Sequence, residues 1–545
     1  MLLNHVRFAL RHIRRAKTFS AINIAGLAVS LTAFLIMALY IENELGYDKF
    51  NTNAGDIYRV VDDKQTNALM QHTASSAAPL APALLADFPQ VKQAVRLIEA
   101  EALVKYNNKL FEERKIYYAD AGIFEVFTLN MVKGNPARAL AAPASVVITQ
   151  NMAAKYFGNE EPVGKTINLD GQNMAVTGVI KEVPATSHIS FDFLISMATA
   201  EEKSSGYNWL FTNWYSNNFY TYILLQPGYD ANKLAGSLYD FAGRHKANTS
   251  ETKHHYALEK LTDIYLYSDR ENQAGKTGSI NNLYIFSAVA AFILLLACIN
   301  FINLSTARAA ERAKEVGVKK VNGVTRAQLS LQFFIESFLM VGFALVVSVT
   351  LCYLLLPLFN TFAGTQIIFV FSPVHIAWLA GIWLFTGSLS GAYPAFVLSS
   401  FKPVTALKGK LRTSFAGIAL RKSLVVFQFT VSVILIISSI VVYTQLRFMQ
   451  QANLGFKLSE TLLINFEGDN SVQTQYERIK SELLRIKGVT AVTASSKVPG
   501  KVSEGSGWSM DFAKKNGDTI HTEMPVFSTD FSFMQQYSIP VVAGR

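Results

Sequence analysis

The stretch from Ser20 to Ile41, SAINIAGLAVSLTAFLIMALYI, contains no charged residue. A helix rising about 1.5 Å per residue needs about 20 apolar residues to cross roughly 30 Å of hydrocarbon, and a mid-span charge costs about 2.5 to 3.5 kcal/mol. Four further stretches meet the same test: Leu283–Ala307, Ser337–Leu358, Val374–Val397 and Ser423–Leu446. Composition agrees, with 50% apolar residues, only 17% charged and a mean hydropathy of +0.22. These runs exclude a soluble multidomain reading of the 545 residues. The first run is too long for a signal-peptide core and lacks a small-residue cleavage site after it, so it reads as a retained anchor. Cys298 and Cys352 both fall inside apolar runs, which leaves no disulfide framework for the polar regions.

Charge sets the expected direction, because Lys and Arg near span ends stay preferentially in the cytoplasm. Arg7, Arg11, Arg14, Arg15 and Lys17 precede the first span. Arg308, Arg312, Lys314, Lys319, Lys320 and Arg326 lie between the second and third, and Lys402, Lys408, Lys410, Arg412, Arg421 and Lys422 between the fourth and fifth. Only Glu311 and Glu315 oppose them, so these segments are more basic than the chain's net +10 and the remainder is acidic. The basic excess is an orientation signal and not a nucleic-acid footprint. The expected plan is a cytoplasmic N-terminus over residues 1–19 and spans at 20–41, 283–307, 337–358, 374–397 and 423–446. Cytoplasmic segments follow at 308–328 and 398–422, and external segments at 42–282 and 447–545. Pro357, Gly364 and Pro373 supply breakers for a short external hairpin between the third and fourth spans.

Residues 46–282 alternate strand-like runs (Ala102–Tyr106, Ser145–Thr149, Met174–Ile180, Tyr220–Leu225) with helical stretches at Ala77–Asp87 and Met152–Phe157. Turn signals at Asn107–Asn108, Gly134–Asn135, Asp170–Gly171 and Pro227–Gly228 separate them, which predicts an α+β domain with its own core. The fold class is therefore an α-helical transmembrane bundle with α+β extracytoplasmic domains. Gly158 to Thr166 imitates a phosphate-binding loop, but five residues part Gly158 from Gly164 where four are required, and a helix precedes it where a strand should. His254 and His255 are adjacent and unaccompanied by HExxH or a Cys pair, and no GxSxG is present. The residues point to no catalytic, metal or cofactor site, and the chain does not read as an enzyme by itself.

Between the second and third spans runs a charged segment in which Glu311 and Glu315, like Arg308 and Arg312, share a helical face, with Gly323 as a stop signal. Taken alone it reads as a solvated topology anchor. The run Arg312-Ala-Lys314-Glu315-Val316-Gly317-Val318-Lys319-Lys320 followed by Gly323-Val-Thr325 resembles the cytoplasmic loop of the FtsX-like permease family. Gly391-Ala-Tyr393-Pro394-Ala395 and Ser400-Phe-Lys-Pro-Val404 resemble that family's fourth span and its exit. Phe157-Gly158, Pro162-Val-Gly-Lys-Thr-Ile167, Val176-Thr-Gly-Val179 and Pro184 through His188 resemble the MacB-type periplasmic core domain. Asn322 departs from the small apolar residue usual before the loop glycine.

The resemblance implies an ABC transporter permease in the bacterial inner membrane that binds no cofactor, with ATP hydrolysed on a separate cytoplasmic ATPase subunit. It makes Glu311, Arg312, Lys314, Glu315, Gly317, Lys319, Lys320, Gly323 and Arg326 the ATPase-coupling loop, and Gly391, Tyr393 and Pro394 a fourth-span motif. Export or efflux by mechanotransmission is the leading expectation. An FtsX-like regulatory coupler that transports nothing, and a transmembrane sensor, stay open beside it. The partners implied are the ATPase, membrane lipid, and a periplasmic adaptor or outer-membrane protein. No span carries a central charge, and Asn300, Asn303 and Thr306 at the inner end of the second span read as packing groups.

A repeat is also expected. Ala9-Leu-Arg11 recurs as Ala419-Leu-Arg421, Leu45-Gly-Tyr47 as Leu454-Gly-Phe456, and Asp120, Phe127, Leu129 and Gly134 correspond to Asp530, Tyr537, Ile539 and Gly544, at an offset of 409 or 410 throughout. That pattern predicts residues 447–545 to be the start of a second external domain in a duplicated protein of eight spans. The topology has a direct test: single cysteines at Asn108 and Gly171 are expected to react with an impermeant thiol reagent in intact spheroplasts, and one at Lys314 only after lysis.

Overall fold

The computed structural model describes residues 2–66, 69–203, 209–246, 252–307, 309–399, 415–452, 455–456, 460–464, 472, 474–496, 507–513 and 519–541. It forms two compact units, one from Met1–Gly46 with Ser279–Gln451 and one from Tyr47–Gly278 with Ala452–Arg545.

In the first unit, five helices are long and apolar enough to cross a membrane: Lys17–Leu45, Ile280–Thr306, Arg326–Ala363, Pro373–Ser399 and Lys422–Gln451, called spans 1 to 5. Each overshoots its uncharged stretch because the polar flanks continue the helix. The hairpin between spans 3 and 4 differs from expectation at Pro357, which lies inside span 3 and does not end it. A proline forfeits one backbone bond, which neighbouring helices and local adjustment tolerate in an apolar bundle. The stop comes at Gly364 in the left-handed region (φ 64°), and Pro373 opens span 4 as its first residue. Asn360 holds the turn between them, donating to the Ile367 carbonyl (2.8 Å) and accepting from the Ile367 amide (3.0 Å) and the Thr365 hydroxyl (2.9 Å).

Leu27 and Leu31 of span 1 pack against Leu294 and Phe301 of span 2 and Met340, Val341 and Ala344 of span 3. Trp383 of span 4 donates its indole N–H to the Phe338 carbonyl of span 3 (2.9 Å), beside Gly387, where a Cβ would collide with the Phe338 ring. Asn303 of span 2 reaches Gln428 of span 5 (3.4 Å), a polar contact between helices.

In the second unit a twelve-stranded sheet is built from β1 (Ile57–Thr66), β2 (Leu69–Thr73), β3 (Ser76–Ala77), β4 (Val91–Tyr106), β5 (Lys109–Ala119), β6 (Met131–Gly134), β7 (Ser145–Thr149), β8 (Thr166–Leu169), β9 (Gln172–Ile180), β10 (Phe193–Ser196), β11 (Asn217–Leu225) and β12 (Thr252–Lys260). The order is β12-β1-β11-β4-β5-β10-β7-β9-β6, with β2 on β1, β3 on β11 and β8 on both β4 and β9. The β4–β5 hairpin turns at Asn107 (φ 51°), and the β8–β9 hairpin at Asp170 (φ 47°) and Gly171 (φ 81°), the positive angles that tight hairpins demand. Helices Leu80–Asp87 and Ala231–His245 cover one core with Leu84, Leu238 and Phe241, while Gln150–Phe157 covers another with Tyr156 and Phe157. Gly158 (φ 63°) through Gly164 (φ 86°) is a turn from that last helix into β8, and Lys165 pairs with Glu160.

Among the described residues between 476 and 537 the order of elements is like that of a stretch of this domain. Helix Tyr476–Leu484, the segment beginning at Val489, the hairpin Gly507–Ala513 with Thr519–Pro525, and helix Phe533–Gln536 follow the sequence Leu80–Asp87, β4, β5 and Ile123–Val126. Val489 N–H bonds Ile486 O as Val91 N–H bonds Phe88 O, and Asp530 N–H bonds Ala494 O as Asp120 N–H bonds Arg96 O. The offset is therefore not constant. Ala494 matches Arg96 at 398 and Asp530 matches Asp120 at 410, because the chain between the paired positions is longer in the C-terminal segment.

Among the buried polar groups of the sheet domain, Lys246 bonds Asp62 (2.5 Å) with both side chains fully buried. Burial pushes the Asp62 carboxyl up. His254, Lys246 and Asn217 together outweigh that and bring it from 3.8 to about 2. A carboxyl held below its ordinary value stabilises the fold above that value, so the contribution is lost as pH falls from about 4 to about 2. Melting of the full-length protein across that window is expected to flatten in Asp62→Asn. Lys246→Met, which strands a buried carboxylate, is expected to cost about 3 to 5 kcal/mol at neutral pH.

Candidate coupling site

Helix Ala309–Val321 links span 2 to span 3. It ends where Val324 N–H reaches Lys319 O (3.1 Å) and Gly323 turns left-handed (φ 87°), a conformation that favours glycine. Thr325 then caps span 3: its hydroxyl accepts from Gln328 N–H and the Gln328 side chain accepts from Thr325 N–H (3.0 Å). The Gly-x-Thr signature is thus a helix stop followed by a capping box.

The linking helix is clamped along one side. Val316 is buried with Leu329 and Phe333 of span 3 and Ala395 and Leu398 of span 4. Arg312 donates to Glu336 of span 3 (2.5 Å), with side chains 13% and 3% exposed, and its guanidinium lies over the Phe333 ring (4.8 Å). Lys319 donates to Glu315 (2.8 Å) and to Gln332 of span 3 (3.0 Å), and covers the Phe8 ring (3.9 Å). Arg326 reaches Ser399 of span 4 (3.4 Å), and Ser330 bonds Ala395 O (3.0 Å) and Ser399 (3.1 Å). Burial and the charge of Arg326 lower the pKa of Lys320. Gly317 is buried.

The fourth-span motif belongs to the same seam. A Cβ on Gly391 would press on Phe334 (3.0 Å) and Ser337 (3.1 Å), so glycine lets spans 3 and 4 touch. Pro394 is buried and Tyr393 half-buried, and Pro394 has no N–H for the Ser390 carbonyl, which loosens span 4 beside the clamp.

The nine residues of the expected coupling loop lie in different surroundings. Arg312, Glu315, Lys319 and Arg326 have partners within the chain, and the side chains of Glu311 and Lys314 lie outside the described set, as do residues 400–414. Gly323 and Arg326 are exposed, and so are Val318 (51%) and Val321 (65%). Glu336, Gln332 and Ser399 were missed. Glu336 had a signal, being the one carboxylate in the 38 residues of Arg326–Ala363, although it falls one position before the uncharged stretch.

Fold and site together define a membrane protein of several spans with an α+β domain inserted between the first two and a linking helix locked to the third and fourth. The family described as MacB-like periplasmic core domain matches residues 20–239, and the family described as FtsX-like permease C-terminal matches residues 287–403. The chain thus carries a MacB-like periplasmic core domain and an FtsX-like permease domain, as ABC transporter permeases similar to it do. Relatives include the ABC transporter permease YknZ of Bacillus subtilis, 26% identical over 269 residues, covering 48% of this chain and 61% of that protein. The macrolide export ATP-binding/permease protein MacB of Bdellovibrio bacteriovorus is 25% identical over 271 residues, 48% of this chain and 38% of that protein. The chain thus spans less than two thirds of the length of both relatives. The periplasmic region of MacB from Actinobacillus actinomycetemcomitans aligns at 14% identity and a TM-score of 0.29, covering 39% of this chain and 91% of that one.

Breaking the clamp from one side takes the opposite charge away from a buried carboxylate. Arg312→Ala is expected to lower stability in nanodiscs by about 3 to 5 kcal/mol, and the swap Arg312→Glu with Glu336→Arg to recover most of it, as read from thermal melting of all three proteins.

Proposed function

We propose that this chain is the permease subunit of an export or efflux system in the bacterial inner membrane, with its N-terminus and linking helix in the cytoplasm, driven by a separate ABC ATPase. Motion is transmitted to the domain outside the membrane, and cargo need not pass through the spans. The observation that carries this reading is the linking helix. One side is fastened to spans 3 and 4 through Val316 and the Arg312–Glu336 pair, while Val318 and Val321 stay exposed. A push on those valines moves two spans and not a loose loop. The partner that suits this face is an apolar groove on the ATPase, with the basic residues around it steering the approach. The segment from residue 447 is on this reading the start of a second external domain, and a periplasmic adaptor or outer-membrane protein completes the route for cargo.

The test is co-purification of the ATPase with the tagged full-length chain. Val318→Glu with Val321→Glu is expected to abolish co-purification while leaving membrane insertion intact. Glu315→Lys, or bulk added at Gly317, is expected to keep insertion but to reduce stimulation of ATP hydrolysis. Undiminished ATPase binding by the double valine variant would return the linking helix to a topology anchor.

A further inference from the structure

The sheet domain is joined to the membrane by two legs, the chain leaving span 1 through Tyr47 and Asp48 and the chain returning to span 2 through Tyr265 to Gly278. Both legs meet one residue outside either of them, His188 in the loop between β9 and β10.

On the outgoing leg, Asp48 adopts a left-handed conformation (φ 59°) rare for a residue with a side chain, and is 1% exposed. Its amide bonds Thr186 O (2.8 Å), and its carboxylate accepts from His188 Nδ1 (2.8 Å), His188 N–H (3.3 Å) and Ser187 Oγ (3.4 Å). Since a carboxylate only accepts, Nδ1 carries a proton. On the returning leg, Lys276 N–H donates to the His188 carbonyl (3.0 Å). Gly275 lies at φ 128° against that carbonyl, where a Cβ would collide. The third face of His188 meets the sheet: Nε2 bonds the hydroxyl of Tyr222 in β11 (2.9 Å), which is fully buried.

One further contact joins the legs, and another ties the returning leg to the sheet. The Tyr47 and Tyr265 rings stack at 3.4 Å and 2°. Arg59 of β1, fully buried, donates to Ser268 (3.1 Å) and Gln273 (2.9 Å) of the returning leg and to Glu259 of β12 (2.6 Å). The imidazole makes two of these connections, to Asp48 and Tyr222, and so fixes the position of the backbone carbonyl that makes the third, to Lys276.

We propose that His188 is the positioning residue that fastens both membrane-bound legs to the sheet, so that spans 1 and 2 act on the external domain as a single input. This rests on the reading of the chain as a transmitter of motion and names the joint where motion enters the domain. The joint works by staying closed.

Hydrogen exchange on the full-length chain in nanodiscs, without the ATPase, tests it. In His188→Leu the amides of Asp48 and Lys276, on different legs, are expected to exchange about ten-fold faster together, while the Val176 amide at the far side of the sheet keeps its rate. His188→Asn, whose amide can still face Asp48, is expected to restore the Asp48 rate and not that of the Tyr222 side. Gly275→Ala is expected to free Lys276 alone. Should His188→Leu fail to fold, Tyr222→Phe removes a single hydroxyl and is expected to shift both legs in the same direction by a smaller factor. Acceleration of one leg only in His188→Leu or Tyr222→Phe, or an equal rise across the domain, overturns the proposal. An intact joint in a chain that binds no ATPase would instead overturn the permease reading and leave the joint standing.

Discussion

Hydrocarbon offers no partner for a backbone N–H or C=O, so a chain that crosses it must satisfy those groups within its own helices. Much of the architecture follows from this demand. Irregular backbone is displaced to the ends of the spans, where Asn360 can bond Ile367 twice and Thr325 can cap the next helix. The sheet domain, whose strands need lateral partners, falls wholly within the connection between two helices. Even Pro357 and Pro394 are accommodated inside spans, where the rest of the helix keeps its own backbone bonds.

The two units manage charge differently. In the sheet domain, buried Asp62 pairs with buried Lys246 and buried Arg59 with half-buried Glu259, and the pairs make further hydrogen bonds with Asn217, His254, Ser268 and Gln273. In the bundle, polar side chains are mostly short and bond their own helix, as Thr306 does to Ile302 O. Glu336 departs from that habit. Its position two to three turns into span 3 is tolerable because Arg312 reaches it from the linking helix, and neither group suits its place without the other.

The spans were legible because hydrocarbon thickness imposes a length and a composition on each of them, and the Gly323–Thr325 helix boundary because glycine and a capping hydroxyl act locally. Four of the strands, β4, β7, β9 and β11, showed in the sequence through their apolar runs. β5 did not, since its first half carries Glu112, Glu113 and Arg114 on an edge that β4 covers only in three dimensions. β12 was hidden for a similar reason, with His254 and Glu259 bonded to groups distant in sequence. In the linking helix the motif residues do not by themselves show which face packs against the spans. That packing depends on Glu336 and Gln332, which belong to the next helix. The sequence matches behind the expected repeat lie at its ends, and between them the C-terminal segment is longer.

The stack of Tyr47 on Tyr265 also bears on how such a chain can be made. It brings the two ends of a domain of more than two hundred residues side by side, whereas an unstructured loop of that length would resist closure by an entropy that grows with the logarithm of its length. A folded domain with adjacent ends removes that resistance, so spans 1 and 2 carry no tether tension once the domain has folded. The insertion therefore behaves as a cassette. A domain with adjacent ends could be exchanged for another of different size or surface without changing the length of chain between spans 1 and 2.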